Sequence, residues 1–461
     1  MTERLVTRRQ VLQVGAVGAA SAAVLAACGP ALTSPSGAGS SGAATAVPSS
    51  GASGGPSPSS AGSGSYTPPG ADATGEITIN NWGDPEGKAV YAAVAARFQQ
   101  KYPNVTVTNN FNPFSGWGDY ISKVLALIAA GNAPDIINIA IEGIELGVAK
   151  DLFLPLDDYF ANDPAAQPLL DDLEPHQFDW LGRQRHGKHY AYPGIWNNMV
   201  VNYNTKMFAD AGIERPSDDW TWDEFLDIAK RLTANDVYGF AHAWFYFGMI
   251  PWFYSNGVSP LNEDWTASNL TDPAVIEAAT FARDLVTVHK VAPQPAGVNQ
   301  NALFPAGKLA MVAATHSQVG AFKNAGFTDW DVLPWPQKAV KATVWGPSGF
   351  AIYPQTKYPD LAWEYIKLLA APETMKEWVT VGGANPPSLT ALSSAEYLAF
   401  PEHAALYSQF FDYGLPVTAP AIYTELESSV NRAWQAIMAG TDVTEAFTQA
   451  DQEVTAAFAA G

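Results

Sequence analysis

The residues best suited to chemistry in this sequence are aromatic side chains that stand beside glycine, asparagine or aspartate. Trp82 precedes a glycine and an aspartate, Trp117 lies between two glycines, and Trp196 precedes two asparagines. The same composition recurs at residues 244–247, 252–254 and 345–349. Flat apolar rings cover the C–H faces of sugars, and neighbouring amides and carboxylates bond their hydroxyl groups. The pattern predicts a cleft lined by several of these side chains, with a carbohydrate as ligand.

Catalytic and metal-binding motifs are missing from the folded part of the sequence. It contains neither a His-Glu-x-x-His zinc helix nor a Gly-x-Ser-x-Gly nucleophile turn. Residues 182–189 approach a phosphate-binding loop but end in histidine, where that motif has serine or threonine. We interpret His186 and His189 as part of a surface turn. Adjacent acidic pairs would serve a glycosidase only if two carboxyl groups converged across one cleft, so we predict a non-enzymatic protein without metal or cofactor.

The elements that would position these residues alternate between strands and helices. Residues 76–80 alternate like a strand, and Asp84 with the proline after it suits the start of a helix. Residues 105–107 and the apolar run 136–141 predict two further strands. From Ile121, apolar residues follow at i+3, i+4 and i+7, as on one buried helix face. This order of strands and helices predicts a parallel α/β sheet.

The second half of the chain continues with shorter elements. Thr221 and Glu224 have the spacing of a capping box at the start of a helix. Strands are predicted at 195–203, 308–315, 332–334 and 349–352, and helices at 361–370 and 373–381. The C-terminal third is predicted to be mainly helical, with Val430, Trp434 and Ile437 on one face.

Composition and charge exclude several classes of partner. Hydrophobic residues make up 47% of the 461 and charged residues 15%, as in a globular protein of two or three domains. The 45 acidic and 25 basic residues give a formal net charge of −20. This excess of negative charge argues against nucleic acid as a partner and against electrostatic adsorption to anionic lipid.

The N-terminus has the composition of an export signal. Arg8 and Arg9 precede an apolar run that is shorter than the roughly 20 residues needed to span a bilayer. The run ends in Leu-Ala-Ala-Cys, and Cys28 is the single cysteine of the chain. This ending resembles a bacterial lipobox, and the arginine pair resembles a twin-arginine signal. The alternative is an uncleaved anchor helix with an incidental cysteine.

From the lipobox we expect residues 1–28 to be the signal, with cleavage before Cys28 and lipid attached to its sulfur. The protein would then be exported and anchored to the outer face of the cytoplasmic membrane. Residues 29–75 consist almost entirely of Ser, Gly, Ala, Pro and Thr, which cannot bury enough apolar surface to fold. We expect a disordered linker between the lipid and the folded part.

Short sequence motifs along the folded part occur in an order that is typical of one protein family. They are Tyr102-Pro103-Asn104-Val105-Thr106-Val107, Gly131-Asn132-Ala133-Pro134-Asp135, Leu154-Pro155-Leu156-Asp157, Val201-Asn202-Tyr203-Asn204, Trp220-Thr221-Trp222-Asp223-Glu224-Phe225, Gly307-Lys308-Leu309-Ala310-Met311 and Ala362-Trp363-Glu364-Tyr365-Ile366. The set resembles the family 1 extracellular solute-binding proteins of ABC importers, the maltose-binding-protein-like group. The resemblance covers nearly all of the chain from residue 76 onward.

The resemblance implies an α/β two-lobe periplasmic-binding-protein-like fold, with discontinuous lobes joined by crossing hinge strands. Residues 76–193 and about 345–400 would form the N-terminal lobe, and 194–344 and about 401–461 the C-terminal lobe. The crossings would fall near 192–196 and near 333–344. The implied function is capture of a sugar or oligosaccharide by a monomer and its delivery to the ABC importer permease. The alternatives are a non-sugar organic solute, a cell-surface glycan hydrolase and a sensory receptor domain.

Ligand contacts are carried over from the family by position. They are Trp82, Asp84, Trp117, Glu142, Trp196, Asn197, Asn198, Trp244, Tyr246, His316, Trp345 and Ser348. His316 stands where relatives often have a tryptophan. For Asp84, a role as helix N-cap competes with a role in binding hydroxyl groups.

Overall fold

A computed structural model describes residues 66–83, 85–113 and 115–460. The expected signal, Cys28, most of the expected linker and Asp84 lie outside the described residues. Strands are numbered here in chain order, and helices are named by their bounds. The strands are β1 (Thr74–Gly83), β2 (Asn104–Pro113), β3 (Ile136–Ala140), β4 (Tyr192–Asn198), β5 (Val200–Asn204), β6 (Met311–Ala314), β7 (Trp330–Leu333), β8 (Thr343–Ile352) and β9 (Gly414–Pro416).

Helices surround the strands along the whole described chain. The α-helices are Pro85–Lys101, Trp117–Ala129, Ile141–Ala149, Asp157–Asn162, Gln167–Asp171, Pro175–Phe178, Gln184–His186, Thr205–Asp210, Trp222–Leu232, Tyr246–Ser255, Pro273–Thr287, Gln300–Leu303, Val319–Asn324, Pro359–Leu369, Pro372–Val381, Leu389–Leu392, Ala395–Leu398, Tyr423–Met438 and Val443–Ala460. A π-helical turn spans Asp179–Arg183, and 3-10 turns span His316–Gln318 and Ala404–Tyr407. Within the described ranges, no helix combines the length and apolar character that crossing a bilayer requires.

The strands form two sheets. In the first, the order is β2-β1-β3-β8-β4, and β9 pairs with the start of β8. β1 is parallel to β2 and β3, as the alternation of strands and helices predicts. β8 is antiparallel to both β3 and β4, so the sheet is mixed. The second sheet has the order β6-β5-β7 and is antiparallel throughout.

The chain passes between the two sheets at Met199, which separates β4 from β5. The single strand predicted over 195–203 is therefore wrong, because its two halves pair in different sheets. The chain returns through residues 334–342, between β7 and β8. The first passage is bonded to the start of β8, directly after the second passage, since the backbone N–H of Met199 donates to the carbonyl of Val344 at 3.0 Å.

Most of the tryptophan in this protein serves core packing. Of the 15 tryptophans, eleven are buried. These are Trp196, Trp220, Trp222, Trp252, Trp265, Trp330, Trp335, Trp345, Trp363, Trp378 and Trp434. The aromatic segment 252–254, predicted to contribute to a cleft, belongs to the helix Tyr246–Ser255, in which every residue is buried. Large rings fill a core efficiently, so their number alone does not indicate a binding site.

The folded body begins earlier than the composition predicts. Tyr66 packs edge-on against Tyr159 with ring centroids 5.5 Å apart, and its hydroxyl donates to the Glu364 carboxylate at 3.0 Å. β1 starts at Thr74, within the segment expected to be linker. The Glu364 carboxylate also pairs with Lys101 at 2.7 Å, so the residues from Tyr66 onward dock on a buried ionic group rather than continue as a tether.

The capping box predicted at Thr221 is confirmed. Its side chain accepts from the Glu224 backbone N–H at 3.3 Å, and the Glu224 carboxylate accepts from the Thr221 N–H at 2.7 Å. The helix Trp222–Leu232 that follows buries Phe225 and Ala229. The box therefore satisfies two of the backbone groups that a helix start leaves without partners.

Replacing the cap should destabilise the protein modestly. Thr221→Ala removes the acceptor for the helix N-terminus and should lower the free energy of unfolding by about 1 kcal/mol, measured by urea unfolding. Thr221→Ser is the matched control, since it keeps the hydroxyl and should retain most of the stability. Equal losses in the two variants would show that the cap contributes nothing.

Candidate functional site

A single open cavity of about 1060 Å³ brings together residues from distant parts of the chain. One side comprises Trp82 at the end of β1, residues 115–119 at the start of helix Trp117–Ala129, and Glu142 just after β3. Strands β4 and β8 contribute Ile195, Trp196, Asn197, Gly346, Pro347 and Ser348. The remaining walls contain Phe245, Phe247, Asn301, Thr315, Ser317, Gln318 and one face of the helix Tyr423–Met438.

Two pairs of aromatic rings lie in the walls. Trp82 and Trp117 pack edge to face, with centroids 5.9 Å apart and an interplanar angle of 73°. The rings of Phe245 and Phe247 are nearly parallel, with an interplanar angle of 6° and centroids 6.4 Å apart. Phe245 is 44% exposed. Trp82 lies near the end of β1 and Trp117 begins the helix after β2, whereas the phenylalanine pair lies at the start of the buried helix Tyr246–Ser255. The cavity thus has apolar surfaces on two separate walls.

A carboxylate from another helix caps the helix Trp117–Ala129. The helix start has no side-chain cap of its own, and the Gly118 N–H donates to Glu427 Oε2 at 2.9 Å. The Tyr423 hydroxyl donates to the other oxygen of Glu427 at 3.3 Å. Negative charge is favoured at a helix N-terminus. Glycine is needed for this approach, because a Cβ on Gly118 would lie 2.6 Å from Oε2.

Glu142 is the most deeply buried carboxyl group in the cavity wall, with 2% of the residue exposed. It begins the helix Ile141–Ala149, directly after the fully buried strand β3. Burial raises the pKa of Glu142 to about 8; its own backbone N–H opposes that rise, and the nearby Glu427 carboxylate adds to it. Burial likewise raises the pKa of Glu427. Two carboxyl groups that resist ionisation therefore face the same space.

The helix Tyr423–Met438 is the wall that sequence reasoning missed. Its cavity-facing residues are Tyr423, Thr424, Glu427, Ser428, Asn431, Arg432 and Gln435. These positions recur at the spacing of one helix face, opposite the apolar face of Val430, Trp434 and Ile437 that the sequence predicts. The polar stripe was visible in the sequence, but an exposed helix face has the same pattern.

Six of the twelve predicted contact residues line the cavity, namely Trp82, Trp117, Glu142, Trp196, Asn197 and Ser348. Trp196 is nevertheless 1% exposed, and its indole N–H donates to the Pro386 carbonyl at 3.0 Å. The Ser348 hydroxyl donates to the Ile195 carbonyl at 3.3 Å. Asp84 lies outside the described residues.

The other five predicted contacts are not on the cavity wall. Trp345 is buried against Phe410 and Phe411, and His316 is stacked on Tyr397 at 5.3 Å. The neighbours of His316 on either side, Thr315 and Ser317, line the cavity instead. These side chains pack away from the cavity, on elements whose adjacent residues line it.

Three further predicted contacts are packed within the protein and do not line the cavity, namely Tyr246, Trp244 and Asn198. The Tyr246 hydroxyl is buried and bonded to the Thr418 hydroxyl at 2.5 Å. Trp244 packs edge-on against Trp434, with centroids 5.8 Å apart. Asn198 is fully buried beside the passage between the sheets, and its amide atoms have no hydrogen-bond partner among the described residues.

Histidine is not concentrated at the cavity. The predicted surface turn is wrong for His189, which is buried and stacked on Phe178 at 3.8 Å. Within the described ranges, one group has donor atoms close enough for a metal ion, formed by Asp331, Glu402 and His403. It is not part of the cavity lining. A hydrogen bond of 2.5 Å between the His403 ring and the Asp331 carboxylate explains why these side chains lie close together.

Comparison with known proteins gives the family. Residues 93–405 match the family model described as bacterial extracellular solute-binding protein. The chain belongs to this family. Membership of an extracellular family implies an exported protein.

Solved structures of substrate-binding proteins share the fold. The ABC substrate-binding protein Lmo0181 from Listeria monocytogenes, in complex with cycloalternan, is 24% identical, with a TM-score of 0.76 over 83% of this chain and 99% of that one. Maltose-bound MalE3 of T. maritima is 19% identical, with a TM-score of 0.72; the match covers 83% of this chain and 99% of MalE3. The predicted two-lobe α/β fold is thus confirmed.

Curated relatives match over shorter regions. The diacetylchitobiose binding protein DasA of Streptomyces coelicolor is 30% identical over 201 residues, 40% of this chain and 45% of that protein. The sn-glycerol-3-phosphate-binding periplasmic protein UgpB of Escherichia coli is 26% identical over 180 residues, 38% and 40% of the two chains. The chain spans about half the length of the curated relatives that it matches.

Glu142 should make stability depend on pH. A carboxyl group whose pKa rises on folding keeps its proton while the unfolded chain loses one, so the free energy of unfolding falls between about pH 4.5 and about pH 8. Glu142→Gln should remove up to about 5 kcal/mol of that fall, measured by urea unfolding at about pH 5 and about pH 9. Asp227→Asn, at an exposed helix position, is the control. An unchanged pH dependence in Glu142→Gln would contradict the assignment.

Gly118→Ala should displace the Glu427 carboxylate from the helix N-terminus. We expect a loss of about 1–3 kcal/mol in the free energy of unfolding, from the steric conflict and the broken hydrogen bond. Combining it with Glu427→Ala removes the atom that the new Cβ meets, so the double variant should lose less than the sum of the single variants. Strictly additive losses would show that the two residues do not interact.

Proposed function

We propose that this protein captures a sugar or oligosaccharide between its two lobes and delivers it to the permease of an ABC importer. The observation that carries the proposal is the cavity itself, with aromatic rings on two walls and carboxyl, amide and hydroxyl groups between them. This combination suits the mixed apolar and polar surface of a saccharide. Relatives and structural neighbours whose names include diacetylchitobiose, cycloalternan and maltose support the same class of ligand.

The proposed lobes are discontinuous, as the family resemblance implies. Residues 76–198 with about 345–400 would form one lobe, and 199–344 with about 401–461 the other. The first boundary is placed after β4, rather than at 193, because that strand pairs in the first sheet. A ligand that contacts both lobes stabilises the closed form by its higher affinity for that form. The permease would recognise the closed, loaded protein. No step in this cycle changes the ligand chemically, so the proposed protein is a carrier and not an enzyme. We propose that it acts as a monomer.

The proposed location follows from the N-terminal sequence. Cleavage before Cys28 and lipid attachment to its sulfur would anchor the protein to the outer face of the cytoplasmic membrane. Residues between Cys28 and Tyr66 would then provide the tether between lipid and folded body. This arrangement keeps the binding protein near its permease.

Thermal unfolding of the purified protein with a saccharide panel tests the ligand class. A bound sugar at about 100 times its dissociation constant adds roughly 2.7 kcal/mol, which raises Tm by several degrees. Trp82→Ala removes one aromatic wall and should weaken binding about tenfold. Trp180→Ala is the matched control, since Trp180 is half-buried and stacks on Trp265 outside the cavity.

Two results would overturn the proposal. The first is a panel in which amino acids or other organic solutes raise Tm and no saccharide does. The second is equal loss of affinity in Trp82→Ala and Trp180→Ala, which would locate the effect outside the cavity. Release of a cleaved product during incubation would indicate the glycan hydrolase alternative instead.

A further inference from the structure

The charged groups of the cavity are mainly acidic. Its lining contains three carboxyl groups, Asp119, Glu142 and Glu427, and one cation, Arg432. Asp119 pairs with Lys123 at 2.6 Å, and Arg432 pairs with Glu453 and donates to Ser428 at 3.0 Å. These two groups are therefore neutralised by partners. The carboxyl groups that remain available to a ligand are those of Glu142 and Glu427.

Neither of these carboxyl groups has a cationic partner. Among the described residues, no Lys, Arg or His side chain lies within 4.0 Å of Glu142 or Glu427. The titratable groups that face them are each other, Tyr246, Tyr423 and, for Glu427, Asp119. All of these groups are neutral or negative. Two buried carboxyl groups without a counter-ion are costly to ionise, and a cation between them would lower that cost.

The position that would otherwise attract an anion is already occupied. The N-terminus of a helix with free N–H groups binds phosphate or carboxylate well. Here Glu427 accepts the hydrogen bond of the Gly118 N–H at the start of the helix Trp117–Ala129. An anionic ligand would have to displace this carboxylate and approach Glu142 as well. The cavity is therefore poorly suited to a phosphorylated or carboxylated sugar.

Aromatic and acidic groups share one corner of the cavity. Trp117 adjoins Gly118, and Trp82 packs on Trp117. A ligand that stacks on these rings can reach the Glu427 carboxylate. Aromatic faces also attract cations. The corner therefore combines two features that recognise a protonated nitrogen on a sugar.

Resting on the proposed function, we infer that the saccharide carries a basic nitrogen, bound as an ammonium ion by Glu142 and Glu427. The binding step forms ion pairs and breaks no covalent bond. A cation beside Glu142 favours its ionised form, so a proton leaves the carboxyl group when the ligand binds. The site is thereby selective for amine-bearing over matched neutral sugars, and for neutral over anionic ones.

Calorimetric titration of the full chain with matched saccharides tests this inference. The β-1,4 set contains glucosamine, N-acetylglucosamine and glucose oligosaccharides, which differ only in the group at C2. The α-1,4 set compares acarbose, which contains a secondary amine, with maltotetraose. At about pH 6 we expect an amine-bearing member of one set to bind at least about tenfold more tightly than its neutral counterpart. Repeating the titration in buffers of different ionisation enthalpy should show release of a proton.

Variants separate the proposed role from a merely structural one. Glu142→Gln should abolish both the preference for the amine and the release of the proton, while stacking still binds the neutral sugar. Glu427→Gln provides a second test if Glu142→Gln does not fold. Asp227→Asn is the control, because it removes an exposed carboxylate on the helix Trp222–Leu232, outside the cavity lining.

The outcomes distinguish this inference from the proposed function. Tighter binding of neutral or anionic sugars, or a preference that survives both Glu→Gln variants, would overturn the basic-nitrogen inference and leave sugar binding intact. Binding of a sugar whose amine is already protonated in solution, without proton release in wild-type protein, would also overturn it. If no saccharide of either set binds, both the inference and the proposed function fail.

Discussion

The structure depends on the place where the chain passes between its two sheets. Met199 separates β4 from β5, and its N–H bonds to Val344, at the start of β8. The Thr343 hydroxyl donates to the Met199 carbonyl, and β9 pairs alongside the same end of β8. Three segments from distant parts of the sequence thus meet in one hydrogen-bonded group. Few backbone connections join the sheets, which is the geometry that permits two lobes to move as bodies.

The cavity lies next to this junction and takes its chemistry from the ends of elements. Strand ends and helix starts leave backbone groups without partners, and here one such group is bonded by a side chain from a separate helix. The contact between Gly118 and Glu427 ties the helix Trp117–Ala129 to the helix Tyr423–Met438. It stabilises the helix start, and it also keeps a carboxylate in the cavity wall.

Burial distinguishes the carboxyl groups of the cavity wall from those on the surface. Surface carboxylates such as Asp119 lie beside lysine and are screened by solvent. Glu142 and Glu427 are withdrawn from water and lie near each other, so a change in charge there is felt strongly by whatever shares the space. The net charge of −20 is spread over the whole chain and predicts none of this. Burial and proximity decide which carboxyl groups matter.

The aromatic residues of this protein serve both the core and the cavity wall. Trp252 and Trp335 pack edge to face at 4.7 Å in the second half of the chain, and Trp363 fills the core of the first sheet. Trp82 and Trp345 both directly precede glycine, yet Trp82 lines the cavity and Trp345 is buried. The neighbouring residues alone did not separate the two, because whether a ring packs in the core or lines the cavity depends on contacts with distant parts of the chain.

Local sequence was enough to predict the class of protein, the parallel arrangement of β1, β2 and β3, and the capping box at Thr221. These features depend on local periodicity, on hydrogen bonds between near neighbours and on motifs read in order. Half of the predicted contacts line the cavity. Among them, Trp82, Trp117 and Glu142 lie at the end or the start of a regular element, and local patterns predict such positions. The folded arrangement of distant elements settles that His316 and Trp345 are buried while Glu427 and Tyr423 line the cavity. Those outcomes depend on contacts between residues more than 80 positions apart, such as His316 with Tyr397 and Gly118 with Glu427, and no local pattern encodes them.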